Sequence, residues 1–193
     1  MRRAVLGLVV FLAAPAVAEP REGHRGQVEL SVRTAVGWRA IVPYGKGDFC
    51  GQLDATTSSG NAPVCTSRAP FAFDLELGYG VDKTADLFLE TRIGLEHDFG
   101  ATAGSGEGPR VFHLSPGVRF FFSDSPTFKL FTTAQLVIDF ERDTDVGARN
   151  MNGLWFDLSP SYGVYAYVGP TLTFAHWLRF ELEGGVGFQY RYP

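Results

Sequence analysis

The fifteen residues that precede the final proline, residues 178–192, alternate between two kinds of side chain. One alternate row is apolar or aromatic apart from a single glycine, and the other contains only charges, glycine and glutamine. Successive side chains of a strand point to opposite faces, so this stretch predicts a strand with one face free of charge. Its length is well above the usual strand length of about five or six residues. Such a strand restricts the chain to an all-β fold with long strands.

Seven further segments show the same alternation. They are residues 27–42, 70–81, 85–99, 110–122, 127–141, 152–158 and 163–174. The connections after the first, third and fifth segments are long and polar, and those after the second, fourth and sixth are tight turns. Outer-membrane barrels show this asymmetry, with short periplasmic turns, longer outside loops and an even strand number. The pattern therefore predicts an eight-stranded antiparallel up-and-down transmembrane β-barrel.

The composition of the two rows decides which face meets lipid. The apolar rows contain no Asp, Glu, Lys or Arg, and one Arg or Lys at the bilayer midplane costs roughly 2–4 kcal/mol. A narrow barrel fills its interior with side chains, and buried charges need partners. The other rows therefore predict an ion-pair network in the lumen. Its members are Glu29, Arg33, Arg39, Glu76, Glu90, Arg92, Glu96, Arg119, Lys129, Glu181 and Arg191. The alternative is a soluble lipocalin-like barrel, whose ligand cavity would normally be apolar.

The chain resembles the small eight-stranded outer-membrane barrels, the class of the OmpA transmembrane domain and OmpX. The resemblance lies in the pattern of the strands and in the ending Gly187-Phe188-Gln189-Tyr190-Arg191-Tyr192. It implies that Gly187, Tyr190 and Tyr192 form the C-terminal signal read by the barrel-assembly machinery. Pro193 follows here, whereas the family usually ends on the aromatic residue. The class also implies outer-membrane lipid as the surroundings.

Residues 1–18 have a basic start, an apolar run and an Ala16-Val17-Ala18 ending, which predicts a secretory signal peptide. A membrane anchor is the alternative, but the apolar run is shorter than the ~20 residues of a spanning helix. The barrel domain is then residues 19–193, and residues 19–25 are predicted to be a short free end. Without Arg2 and Arg3 the chain has 15 basic and 21 acidic residues, so nucleic acid is not an expected partner.

The two cysteines, Cys50 and Cys65, belong to one polar connection of an exported chain. We expect a disulfide, which would close about sixteen residues and contribute on the order of 3 kcal/mol. The intervening residues contain no histidine, so a metal site is not expected.

The residues predict no catalytic centre and no cofactor. His97 and His176 lie near the predicted outer rim but lack the neighbouring serine of lipid A deacylases, so a lipid-modifying enzyme is the least favoured hypothesis. We expect a monomer with a structural role or a surface-interaction role. Residues 43–68 are the best candidate contact for an unknown surface ligand, because they include the longest connection. A narrow channel or small-solute carrier is the alternative function.

Overall fold

The computed structural model describes residues 23–44, 64–97, 110–123, 125, 127–140, 144–175 and 177–192. Eight strands account for nearly all of them. They are β1 (Val28–Pro43), β2 (Cys65–Asp82), β3 (Ala85–His97), β4 (Arg110–Phe121), β5 (Phe128–Asp139), β6 (Asp145–Ser159), β7 (Tyr162–Thr173) and β8 (Trp177–Tyr192).

The strands form one closed barrel in chain order, and each is antiparallel to its neighbours. Closure is made by β1 and β8, whose register runs from Val28↔Tyr192 to Pro43↔Trp177. No strand edge is left unpaired in such a ring, which removes the usual route to edge aggregation. The predicted fold class is confirmed. The described residues contain no apolar helix of the length that a bilayer crossing requires.

Two strands begin at least five residues earlier than their sequence pattern indicates. In β2, residues 65–69 extend the pairing with β1 beyond a register shift that lies between Ala35 and Gly37. In β6, residues 145–151 pair with β5, although the sequence places them in a loop. The outward row of β6 contains Asn150 and Asn152, so the apolar alternation that marks the other strands is absent there.

The barrel is inverted relative to a soluble protein. Large apolar side chains cover its exterior, while arginine, lysine and carboxylate side chains fill its interior. On β7, for example, Val168 is 55% exposed while its neighbour Tyr167 is 5% exposed. We call the end with the short connections, such as Pro160-Ser161, the turn end, and the opposite end the loop end.

The predicted free end before β1 is wrong for residues 23–25. Gly23 and Gly26 have φ values of 72° and 77°, which side-chain-bearing residues rarely adopt, and they turn the chain back across the turn end. The amide of Gly26 donates to the carbonyl of Gly80 at 2.7 Å. A Cβ atom on Gly80 would overlap the carbonyl of His24. Glycine is therefore required there, and the turn places the His24 side chain inside the barrel, fully buried.

Candidate functional site: the ionic lumen

The middle of the lumen is organised around Arg92 of β3. Its guanidinium donates to both carboxylate oxygens of Asp74, at 2.7 and 2.8 Å. It also donates to both oxygens of Glu183 on β8, at 2.6 and 2.8 Å. Paired N–H···O bonds of this kind fix orientation as well as supplying energy. Arg92 therefore ties β2 and β3 to β8 across the barrel.

Two further arginines complete this central cluster. Arg33 donates to Asp74 at 2.7 Å and to Glu90, and Arg149 donates to Glu90 at 2.7 Å. Arg149 also lies 3.3 Å from the Glu183 carboxylate. Each of these side chains is buried. With Arg92 and its two partners, three arginines meet three carboxylates, so the central cluster is neutral and spans β1, β2, β3, β6 and β8.

A second ionic layer lies toward the turn end. Arg119 donates to both oxygens of Glu76, at 2.7 and 2.6 Å. The same guanidinium lies 3.7 Å from Glu29 and 3.6 Å from Asp86. Arg119 therefore interacts with three carboxylates, each from a different strand. Its positive charge offsets part of the desolvation cost of burying those carboxylates.

His24 adds the N-terminal turn to this layer. Its Nδ1 atom lies 2.9 Å from Glu29 Oε1 and 3.2 Å from Asp86 Oδ2. Its Nε2 atom lies 3.0 Å from Lys129 Nζ and 3.0 Å from Arg191 Nη1. The ring also packs 4.3 Å from the centroid of Phe121. The turn is therefore fixed by polar and aromatic contacts and covers the lumen at this end.

His24, Glu29 and Asp86 are the one group of potential metal ligands found among the described residues. Burial alone would lower the pKa of His24, but its hydrogen bonds to Asp86 and Glu29 raise that pKa above its usual value. The carboxylates therefore favour a proton on the Nδ1 side, where a metal would bind. The far nitrogen faces two cationic groups, which would repel an added cation. These residues do not fit a metal ion.

An aromatic wall occupies the side of the lumen formed by β4 to β7. Trp155 and Tyr165 stack with centroids 4.6 Å apart, and Phe131 meets both rings edge-on. The Arg119 guanidinium lies 5.0 Å from the Trp155 ring centroid, within the range of a cation–π contact. The ion pairs and the aromatic rings together fill this cross-section of the lumen, and their side chains are buried.

A third ionic group lies at the loop end. Arg179 donates to Asp139 at 2.6 Å, and His113 lies 3.2 Å from the same carboxylate. Arg39 lies 3.7 Å from Glu181. All five side chains are buried, so ionic groups continue along the lumen from one end to the other.

Ten of the eleven residues predicted for the lumen network are buried inside the barrel. Glu96 is the exception, with 42% of its side chain exposed, and it pairs with Arg68, which is 63% exposed. The register between β3 and β4 shifts between Ile93 and His97. Leu95 still points outward, so Glu96 keeps the parity of the inward row but lies next to the loop end of β3, where its carboxylate also accepts from the amide of Phe71 at 2.9 Å.

The predicted assembly-signal residues lie on two faces of β8. Gly187 faces the Tyr165 ring, and a Cβ atom there would overlap it. Tyr190 and Tyr192 point outward and are 37% and 44% exposed. Cys50 and His176 lie outside the described residues, and so do the side chains of Cys65 and His97. The predicted disulfide and the histidine hypothesis therefore remain predictions.

Sequence reasoning missed several lumen residues. Some are ion partners on inward rows of strands that the alternation already marked; these are Asp74, Asp86, Asp139, Arg179 and Glu183. Arg149 was missed because its part of β6 was predicted to be a loop. His24 was missed because it precedes the first strand, although the glycines at 23 and 26 are a turn signal. The rings of the aromatic wall share the inward rows with charged and small residues, so the alternation alone does not indicate that they stack.

No family model matches the chain, and no curated protein sequence matches it significantly. Among solved structures, Neisserial surface protein A (NspA) superposes with a TM-score of 0.52 at 12% identity, covering 82% of this chain and 95% of that one. The N-terminal β-barrel domain of Pseudomonas aeruginosa OprF also gives 0.52, at 14% identity, covering 86% of this chain and 98% of that one. At these identities the similarity concerns the fold alone. This chain has the fold of the small eight-stranded outer-membrane barrels, and neither name denotes an enzyme.

Proposed function

We propose that this protein is an outer-membrane barrel with a closed lumen, which supports surface interactions made by the connections at its loop end. The observation that carries the proposal is the filled, ion-paired interior beneath an apolar exterior. The turn end then faces the periplasm and the loop end faces outward, as in barrels with short periplasmic turns. Such a protein works as a rigid support rather than as a passage.

The exterior supports the membrane part of this proposal. Exposed aromatic side chains lie toward both ends of the strands, as interfacial girdles require. At the turn end they are Tyr79, Phe122, Phe128, Tyr190 and Tyr192, and at the loop end Trp38, Phe112, Phe140 and Phe174. Leucine, valine and isoleucine predominate between them. An aliphatic band between two aromatic girdles fits the hydrocarbon core and the two interfaces of a bilayer. The same arrangement would not stabilise a surface in contact with water.

The interior argues against the channel alternative. Water and ions would need a continuous path past the central cluster, where Arg92 spans the lumen through four hydrogen bonds. Opening that path means separating buried charges, and breaking such a pair costs about 3–5 kcal/mol. His24 and the aromatic wall occupy the next layer toward the turn end.

The full barrel, refolded and inserted in a planar bilayer, is therefore expected to show no discrete conductance. The measurement is single-channel recording, with insertion verified by protection from added protease. A porin recorded in the same bilayer serves as the positive control. Reproducible steps of one size from the inserted protein would contradict a closed lumen and favour the channel.

Deleting residues 51–64 is expected to leave the barrel folded and to abolish binding of any surface ligand. The deletion falls between the end of β1 at Pro43 and the start of β2 at Cys65, and the lumen contacts described above are made by other residues. Folding is checked by the heat-dependent shift in gel migration typical of such barrels, and binding by adhesion of cells that display each form. A matched deletion within residues 101–107 tests another connection. If binding is unchanged after the first deletion, residues 43–68 are not the contact surface for the ligand.

A further inference from the structure

A small polar cluster lies on the apolar exterior, on neighbouring strands β5 and β6. Its members are Thr132, Asn150 and Asn152, and both asparagines are exposed. The Asn150 amide donates to Thr132 Oγ1 at 3.1 Å and to the carbonyl of Thr133. The Asn152 amide donates to Asn150 Oδ1 at 2.7 Å. Thr132 and Asn152 face each other in the register of the two strands.

The cluster lies near the middle of the strands. On β6, Asn152 is four residues from Phe156, which contacts Phe128 in the aromatic band of the turn end. At a rise of ~3.3 Å per residue the separation along the strand is roughly 13 Å. Asn150 lies two residues closer to the loop end. In the proposed membrane position this depth is hydrocarbon, which offers no hydrogen-bond partner.

The internal hydrogen bonds satisfy Asn150 but not Asn152. The side chain of Asn150 uses its NH₂ group as a donor and its Oδ1 atom as an acceptor. Asn152 uses one N–H, and among the described residues nothing donates to its Oδ1. An amide carries two donor hydrogens and one acceptor oxygen. Each barrel thus presents one free donor and one free acceptor on the same side chain, at a depth where leaving them unpaired is costly.

We propose that this face is the contact surface with a second copy of the chain. Two Asn152 amides that meet across a two-fold axis each donate to and accept from the other, so a single pairing satisfies both. This is the self-complementarity that a symmetric dimer interface needs. The neighbouring outward residues Ala134, Ala148 and Ala166 are small and exposed, which lets the two walls approach closely. The inference replaces the monomer expected from the sequence.

The test uses the full barrel, refolded into phosphatidylcholine vesicles, with donor and acceptor dyes on the amino termini of separate pools. Energy transfer is measured as the protein-to-lipid ratio rises, and a saturable increase above random proximity is expected. Asn152→Leu removes the amide, keeps the surface apolar, and is expected to lower the association constant about ten-fold. Asn152→Gln keeps an amide and is expected to retain most of the association.

A matched control is Thr91→Leu, a similar change on an outward residue of β3, three strands away in the ring. It is expected to leave the transfer unchanged. Ala148→Phe keeps every amide but prevents the close approach of the two barrels, so it is expected to lower the energy transfer. It tests the interface independently if Asn152→Leu does not fold. Wild-type transfer at the random-proximity level overturns the proposal. Equal transfer in the wild type and in both interface variants also overturns it.

Discussion

Arg92→Leu is expected to destabilise the barrel by about 3–5 kcal/mol, the usual result of removing one partner from a buried ion pair. The substitution leaves Asp74 and Glu183 with four fewer hydrogen bonds and one less positive charge between them. Both carboxylates are buried, so water cannot replace the guanidinium without opening the lumen. The measurement is the urea midpoint of unfolding in detergent or lipid, followed by gel migration or tryptophan fluorescence.

Arg68→Leu is the matched control for that substitution. Arg68 also pairs with a glutamate, Glu96, at 2.7 Å, but the two side chains are 63% and 42% exposed. An exposed pair is worth about 0–1 kcal/mol, so the control should hardly shift the midpoint. Equal shifts for the two variants would mean that the central cluster contributes no more to stability than a surface contact.

Leu75→Arg is expected to cost roughly 2–4 kcal/mol of folding free energy in a bilayer, because a charge near the midplane of a lipid-facing strand is poorly solvated. Leu75 points outward from the middle of β2 and is 47% exposed. The same substitution on the water-exposed surface of a soluble barrel would be close to neutral. Reversible unfolding in phosphatidylcholine vesicles therefore distinguishes the membrane position from the soluble alternative.

Val81→Arg supplies the depth control. Val81 lies on the same strand and also points outward, but it is next to the end of β2 at the turn end. A basic residue near the interface costs only about 0–1 kcal/mol, so the two arginine variants should differ clearly. If both are neutral, the exterior does not face lipid, and the proposed outer-membrane location fails with it.

The sequence pattern was sufficient for the fold class because one physical rule acts along every strand. A strand with a charge-free face and an ionic face must have two different surroundings, and alternation with period two reveals both faces. The pattern therefore indicated the inward positions of Arg92 and Arg119 without any structure. It failed where the alternation stops. β6 begins seven residues before the predicted start. The prediction was wrong there because Asn150 and Asn152 interrupt the apolar row by which a strand is recognised.

The partners within the lumen could not be predicted in the same way. Arg33 lies 57 residues from Glu90, and Arg92 lies 91 residues from Glu183. Which carboxylate meets which arginine depends on the stagger of eight strands and on the tilt that closure imposes. The sequence likewise does not show that β2 begins at Cys65, which places Arg68 within 2.7 Å of Glu96 at the rim.

By itself, the sequence determined that the chain forms long antiparallel strands with a charge-free side, because side-chain polarity and strand period are local properties. The tertiary structure decided which charges neutralise each other, that His24 turns back to cover the lumen, and that the amide of Asn152 lies on the apolar exterior. These features depend on distances between residues far apart in the chain, and only the closed ring of strands sets those distances.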